Sequence, residues 1–284
     1  MPTERHNMLD LSILILALNE RMHIERCLHS ARRLGVPVFV IDSHSTDGTA
    51  DMAAALGANV LQCSANRFSD KLNWALSHAP FTTTWVMRLD ADEVLSEELV
   101  KELPATLHDM PDEVCGLMLR RQLWFMGQWM RHGGVYPTWT MRIWRRGTVR
   151  CEARDLDEHM LLSRGTTRSL SMDVIDNPLF SLATWIDKHN KYSTIEAASI
   201  HTPVDGLMEP RLFGSTVERI RWFKVKVFYR LPPFIRPALY YIYRYIFRLG
   251  FLDGRKGFAF HFLHALWYRI LVDAKMIETK QPIQ

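Results

Sequence analysis

The sequence predicts an α/β protein built on a mostly parallel, doubly wound sheet with helices on both faces. Three observations carry that prediction. The run Leu11–Leu18 is apolar but for Ser12, as expected of a strand covered on both faces. Strand-like and helix-like stretches then alternate in four units over about 90 residues. Polar clusters fall where the first, second and fourth strands end, the edge at which such sheets bind ligands.

Each element follows from local signals. After the first strand, Arg21–Arg33 places Ile24, Cys27, Leu28 and Ala31 at helical spacing, and Gly35 is positioned to end that helix. Val36–Ile41 is a second β-branched run, and Asp42–Gly48 is turn chemistry. Thr49–Leu56 reads as a helix capped by Gly57, Asn59–Cys63 as a short strand and Asp70–His78 as a third helix. Thr83–Leu89 is the fourth strand, ending at Asp90-Ala91-Asp92-Glu93. Past Pro104 the pattern changes, with strands expected at Val114–Arg121, Thr138–Trp144 and Leu170–Ile175, then a helix over Leu182–Ser199.

Composition narrows the function class. With 48% apolar and 23% charged residues in 284, the chain is globular rather than disordered. Its four cysteines lie far apart without a C-x-x-C pair, which argues against a disulfide scaffold or a thiolate zinc site and for a reducing compartment. Cys27, Cys63 and Cys115 fall on expected core faces. No stretch is long and apolar enough to span a bilayer, and Leu11–Leu18 is too short and wrongly flanked for a signal sequence, so the chain reads as unexported.

The net charge of +4 hides an asymmetry. Residues 206–284 carry 14 basic and 5 acidic side chains and 17 of the 31 aromatics, whereas residues 1–205 are net acidic. A body over 1–205 and a basic, aromatic helical region over 206–284 are therefore expected. Arg211–Phe228, Phe234–Leu249 and Phe258–Ile277 mix Arg and Lys with rings at helical spacing. Two readings stand at this stage: helices lying in an anionic membrane interface, or aromatic helices packed on the body. Nucleic acid is not an expected partner, because no recognised RNA module is visible.

The strand-end clusters are Asn19-Glu20, Asp42-Ser43 and Asp90-Ala91-Asp92. Each has an ordinary alternative, since Asp and Asn favour turns and helix caps. Together they would converge on one sheet edge, where a D-x-D pair offers hard oxygen ligands suited to Mg²⁺ or Mn²⁺. Asp155-Leu156-Asp157-Glu158-His159 is a second acidic cluster, either a solvated turn or the source of a general base. The His132–Pro137 connection, following Trp124 and Trp129, is either a flexible loop that closes over a ligand or a plain hairpin. P-loop, dinucleotide-binding and hydrolase-elbow motifs are absent.

These positions together resemble glycosyltransferase family 2, the inverting nucleotide-sugar transferases of the GT-A fold. The resemblance rests on Leu14–Glu20, on Val40–Thr49 and on Arg88–Glu93, and extends to Met141–Gly147, Trp185–Tyr192 and Gly250–Arg255. Ser43-His44 stands where the family usually has D-G. The later stretches resemble the subgroup that builds lipopolysaccharide core and other cell-surface glycans.

The resemblance implies roles. Ala17, Leu18 and Glu20 at the first strand end, with Asp42, would hold the base and ribose of a uridine nucleotide, and Lys71 the diphosphate. Asp90, with Ala91 beside it, would contact ribose or metal, and Asp92 would bind the Mn²⁺ or Mg²⁺ that bridges the diphosphate. Glu158 would be the base, with Asp157 the nearest alternative. The Q-x-x-R-W motif of processive members is absent, which implies addition of one sugar. The expected protein is thus a UDP-sugar-dependent transferase acting on a lipid-linked acceptor, peripheral on the cytoplasmic face of the inner membrane. A nucleotidyltransferase on a similar sheet and a catalytically degenerate nucleotide-binding member are the alternatives.

Overall fold

The computed structural model describes residues 9–153, 158–200, 211–214 and 216–278. Within it the expected alternation forms: β1 (Leu11–Ala17), α1 (Arg21–Arg32), β2 (Val38–Asp42), α2 (Thr49–Ala55), β3 (Asn59–Gln62), α3 (Phe68–His78) and β4 (Trp85–Asp90). A short strand β5 (Glu93–Leu95) follows, then α4 (Glu97–His108), β6 (Val114–Phe125), β7 (Gln128–Trp129) and β8 (Thr138–Arg145). The strands β9 (Val149–Cys151), β10 (Met160–Leu162) and β11 (Thr166–Asp176) come next. The helices α5 (Leu182–Ser199), α6 (Thr216–Lys226), α7 (Ile235–Ile242), α8 (Gly254–His261) and α9 (Tyr268–Glu278) complete the chain.

The main sheet has the order β3-β2-β1-β4-β8-β6-β11-β5, with β7 paired to β6. The first four strands are parallel, and β8 joins β4 in the opposite direction. Because β1 pairs with both β2 and β4, the winding reverses at β1. That reversal opens a crevice at the carboxyl ends of these strands. Register places Asp42 opposite Ala17 on one side and Asp90 opposite Leu16 on the other.

Burial explains the apolar run. All seven residues of β1 are buried. Ile13 and Ile15 pack with Ile24, Leu28, Val40 and Leu89 on one face of the sheet. Leu14 and Leu16 pack with Phe39, Ile41, Leu72 and Trp144 on the other. All four cysteines are buried thiols.

Three elements depart from sequence expectation. β5 occupies a stretch that reads as turn, and pairs with β11. α4 runs through Pro104, because Leu99, Leu103 and Leu107 all bury on one face and outweigh the missing donor. The small antiparallel pair β9–β10 has too few residues for a periodic signal.

The chain divides into two compact units that are not contiguous in sequence. The first comprises residues up to Trp129, Tyr136–Cys151 and His159–Leu179 and contains the sheet. The second comprises Met130–Val135, Glu152–Glu158 and the chain from Phe180 onward. In it, Glu196 of α5 is the hub, accepting from Tyr229 and Tyr268 hydroxyls and pairing with Lys224 and Arg269.

Candidate active site

The site is built from loops that follow β1, β2 and β4. The first two loops are tied together by hydrogen bonds. Buried Asp42 accepts from the Ser45 main-chain N–H at 2.8 Å and from the Ser45 hydroxyl. The Asn19 N–H donates to Ser45 Oγ at 2.9 Å, and Asn19 Oδ1 accepts from the Thr46 N–H at 2.9 Å. The Glu20 N–H donates to Thr49 Oγ1, and the Arg21 N–H to Asp47 Oδ2. Asn19 and His44 both adopt left-handed backbone conformations, at φ 55° and 57°. Such conformations persist where surrounding bonds over-determine them. Gly48 is called for by its left-handed φ of 85°.

This shelf leaves one polar atom unmatched. Ser43 Oγ is buried and has no hydrogen-bond partner among the described residues. A buried hydroxyl in that state calls for a partner. It stands at the position where the sequence departs from the family pattern.

The side chains around the shelf are committed differently. Leu18 is exposed at the strand end, and Ala17 is buried. Glu20 accepts from His23 Nδ1 at 2.6 Å, and His23 Nε2 accepts from the Leu179 N–H. Lys71 of α3 is mostly buried, and burial lowers its pKa against the opposing pull of Cys63, Asp42 and Glu20. The coupling to Asp42 and Glu20 places Lys71 beside the shelf.

At the end of β4, Asp90 faces two guanidinium groups. Arg88 Nε lies 3.3 Å from Oδ1 and Arg142 Nη1 lies 3.1 Å from Oδ2. These cations overcome the cost of burial and hold the Asp90 carboxyl well below the usual carboxylate range. The other Arg142 nitrogen pairs with buried Glu93, whose second oxygen accepts from the Asp90 N–H at 3.0 Å. Burial pushes the Glu93 carboxyl up, against the pull of Arg142. Buried Ala91 follows Asp90. The Asp92 carbonyl accepts from Arg26 at 2.8 Å, which fixes the backbone that carries its carboxylate.

The donor set suits a divalent cation of a particular kind. Asp90 and Asp92 offer carboxylate oxygens only, and no group of three or more His, Cys, Asp or Glu converges among the described residues. Mg²⁺ or Mn²⁺ usually keeps waters and takes phosphate oxygens beside one or two carboxylates. The residues present therefore fit a metal that arrives with a diphosphate.

Glu158 lies in the second unit, where it is half-buried. Asp157 lies outside the described residues. The chain leading to this segment is anchored on its N-terminal side. Asn73 bonds both the N–H and the carbonyl of Cys151, at 2.8 and 3.0 Å. In the second unit, Arg221 grips fully buried Glu152 in a two-pronged pair at 2.9 and 3.0 Å.

The structure thus brings Ala17, Asp42 and Asp90 to one sheet edge. Arg88, Ser43, Glu93 and Arg142 all fall within stretches quoted from the sequence, which assigned none of them a role. Arg142 lies in a strand that also carries Thr138, Thr140 and Arg145, so no local signal marks it. The His132–Pro137 connection also differs from expectation. Asp253 accepts from the N–H groups of Arg131 and His132 and from His132 Nδ1. The Gly133 N–H donates to the Arg248 carbonyl at 2.8 Å, so this part of the connection is pinned rather than flexible.

Comparison with known proteins gives a consistent result. The profile described as "Glycosyl transferase family 2" matches residues 12–165. A lipopolysaccharide core biosynthesis glycosyltransferase, LpsC of Rhizobium meliloti, is 25% identical over 271 residues, covering 90% of this chain and 91% of that protein. An uncharacterized glycosyltransferase of Rickettsia typhi is 34% identical over 93 residues, covering 33% of this chain and 31% of its own length. Among solved structures, S. aureus TarS in complex with UDP-GlcNAc aligns over 96% of this chain and 93% of its own, with 15% identity and a TM-score of 0.45.

Proposed function

The chain belongs to glycosyl transferase family 2, and we propose that it transfers a single sugar from a UDP-sugar to a lipid-linked or lipopolysaccharide-type glycan acceptor. The observation that carries this reading is the pair Asp42 and Asp90 flanking the end of β1, with Asp90 kept ionised by Arg88 and Arg142. The relative named for lipopolysaccharide core biosynthesis, similar over nine-tenths of the chain, supports the acceptor class.

In this reading the shelf made by Ala17, Leu18, Glu20 and Asp42 receives the uridine and its ribose. Ser43 Oγ supplies a further hydrogen bond to the nucleoside. Lys71 balances diphosphate charge, with Ala91 lining the turn between Asp90 and Asp92. Asp90 and Asp92 would hold Mn²⁺ or Mg²⁺, which supplies Lewis-acid relief of the charge that develops on the departing diphosphate. Glu158 takes the proton from the acceptor hydroxyl, with Asp157 the alternative at the adjacent position. The acceptor oxygen forms its bond to the anomeric carbon as the bond from that carbon to the UDP oxygen breaks. Attack opposite the leaving group inverts the anomeric centre. A diphosphate leaves without protonation, so one base suffices, unlike the two carboxyl groups of a glycosidase. A lipid-linked acceptor places the enzyme peripherally on an anionic surface, the cytoplasmic face of the inner membrane.

UDP release across a panel of UDP-sugars, with Mn²⁺, with Mg²⁺ and with chelator, tests the reading. Metal-dependent turnover of one donor is expected, lost on the order of a hundredfold or more in Asp92→Asn. Unchanged transfer by Asp92→Asn would remove the metal assignment. Unchanged transfer by both Glu158→Gln and Asp157→Asn would remove the base.

A further inference from the structure

The second unit contains a helix that is turned inside out. α7 and the π-helical turn that continues it, Tyr243–Phe247, bury Arg236 and Arg244 and expose Ile235, Leu239, Ile242 and Ile246. Steps of four, three and four residues put the exposed four on one stripe. The buried face is satisfied by polar contacts. Arg236 Nε lies 2.8 Å from Asp273 Oδ1, and Arg244 Nε donates to the Gly133 carbonyl at 2.8 Å. A helix whose apolar stripe faces its own core shows the reverse pattern.

The apolar surface continues beyond the stripe. Phe247 is 73% exposed, and Leu249 and Leu252 are each about half exposed. Tyr245 lies 6.3 Å from Phe251 and 5.8 Å from Phe258, and Phe258 stacks on Phe262 at 6.0 Å. These rings connect the π-helical turn to α8 in one patch. Isolated exposed apolar residues are ordinary, whereas a connected patch of this kind marks an interaction surface.

Charge identifies what covers it. Between Arg219 and Ile277 the only carboxylates are Asp253 and Asp273. Both are buried, and they pair with His132 and Arg236. The exposed charged side chains of this stretch are therefore basic, among them Lys226, Arg230, Arg248 and Arg255. A second copy packed through the same patch would bring cations against cations. An anionic lipid surface offers acyl chains to the stripe and phosphates to its basic border. No helix among the described residues is long and apolar enough to cross a membrane, which leaves a helix lying in the plane of the interface.

We propose that α7 and its π-helical continuation form an insertion ridge that seats Ile235, Leu239, Ile242 and Ile246 in the headgroup–acyl boundary of an anionic bilayer. The proposal deepens the membrane-side placement given above and rests on it only for the source of the lipid. All of its residues lie within the second unit.

The native cysteines favour a direct test, because all four are buried. A single thiol introduced by Ile246→Cys in the full-length protein accepts an environment-sensitive fluorophore, and Lys101→Cys on α4 serves as the control. On adding phosphatidylglycerol-containing vesicles, the label at 246 is expected to shift to the blue and to be quenched by brominated acyl chains. The label at 101 is expected to show neither change. Leu239→Glu/Ile242→Glu is expected to weaken vesicle binding by about tenfold or more, with UDP binding and thermal melting in solution retained. Unshifted fluorescence at 246 and undiminished vesicle binding by the double variant, while the wild type binds vesicles, would overturn the ridge and leave membrane placement standing. Failure of the wild type to bind any vesicle would overturn both. Self-association that the double variant abolishes, without vesicle binding, would make a second copy the occupant and overturn the proposal.

Discussion

Arg142 Nη1 lies 3.1 Å from Asp90 Oδ2, across a sheet in which β4 and β8 run in opposite directions. The same guanidinium pairs with Glu93, so one cation serves two carboxylates on neighbouring turns of the chain. Arg142 is 1% exposed, and such a charge is tolerated only when paired. The consequence for function is that Asp90 presents a fixed, ionised carboxylate at the strand end.

Arg142→Met is therefore expected to cost more than a surface charge. It leaves Glu93 buried without its cation and leaves Asp90 with Arg88 alone. Loss of one partner from a buried pair costs about 3–5 kcal/mol. Urea unfolding should show a loss of that order, together with weaker UDP-sugar binding. Arg142→Lys should recover only part of both, since an ammonium cannot face Asp90 and Glu93 together.

Ser45→Ala tests whether the loop shelf is preorganised for the donor. The hydroxyl both donates to Asp42 and accepts from the Asn19 N–H, so its removal loosens the loops that follow β1 and β2 while their bonds through Thr46, Asp47 and Thr49 remain. Each lost bond is worth about 1 kcal/mol. Donor affinity should fall by roughly tenfold, while the melting temperature moves little. Titration calorimetry with UDP separates the two effects.

What was legible in the sequence follows from how local each signal is. β1, β2 and β4 announce themselves because burial on both faces makes their residues apolar throughout, and their acidic ends announce the binding edge. β5 gave no such signal: it is three residues long, and Glu93 reads as a solvated acid until Arg142, 49 positions away, is placed beside it. The pattern was read as changing past Pro104, yet α4 continues through it to His108, because Leu99, Leu103 and Leu107 bury on one face. The mixture of Arg with aromatic rings over Phe234–Leu249 was visible, but which face turns inward depends on Asp273, 37 positions after Arg236. Pairing over such distances has no periodicity to read.

Glu196→Ala should unfold the helical unit preferentially. The buried carboxylate receives Tyr229, Tyr268, Arg269 and Lys224 from three other segments, at 2.6 to 2.9 Å. Arg269 and Lys224 hold it far below the usual carboxylate range against the cost of burial. Its removal strands two cations, a loss of about 3–5 kcal/mol. Hydrogen exchange should accelerate across α5 and α9, which pack together through Ala197, Tyr268 and Val272, while β1 and β4 stay protected.

Acid should weaken the same unit through its histidines. His261 is fully buried, and neither ring nitrogen has a hydrogen-bond partner among the described residues. Burial, reinforced by Arg244 and opposed by Asp253, lowers its pKa from 6.5 to about 4. His189, stacked on Trp185, is lowered to about 4 chiefly by burial, and His264 is lowered further in the same direction. A depressed folded pKa means that the unfolded chain takes up protons first as pH falls. Stability is therefore complete above pH 6.5 and declines as pH drops toward 4. His261→Leu removes one of these sites without deleting a hydrogen bond. Unfolding free energies from urea titrations at pH 7 and pH 5 should differ less in this variant than in the wild type, by on the order of 2 kcal/mol. An equal difference in the two proteins would assign the acid sensitivity to His189 and His264 instead.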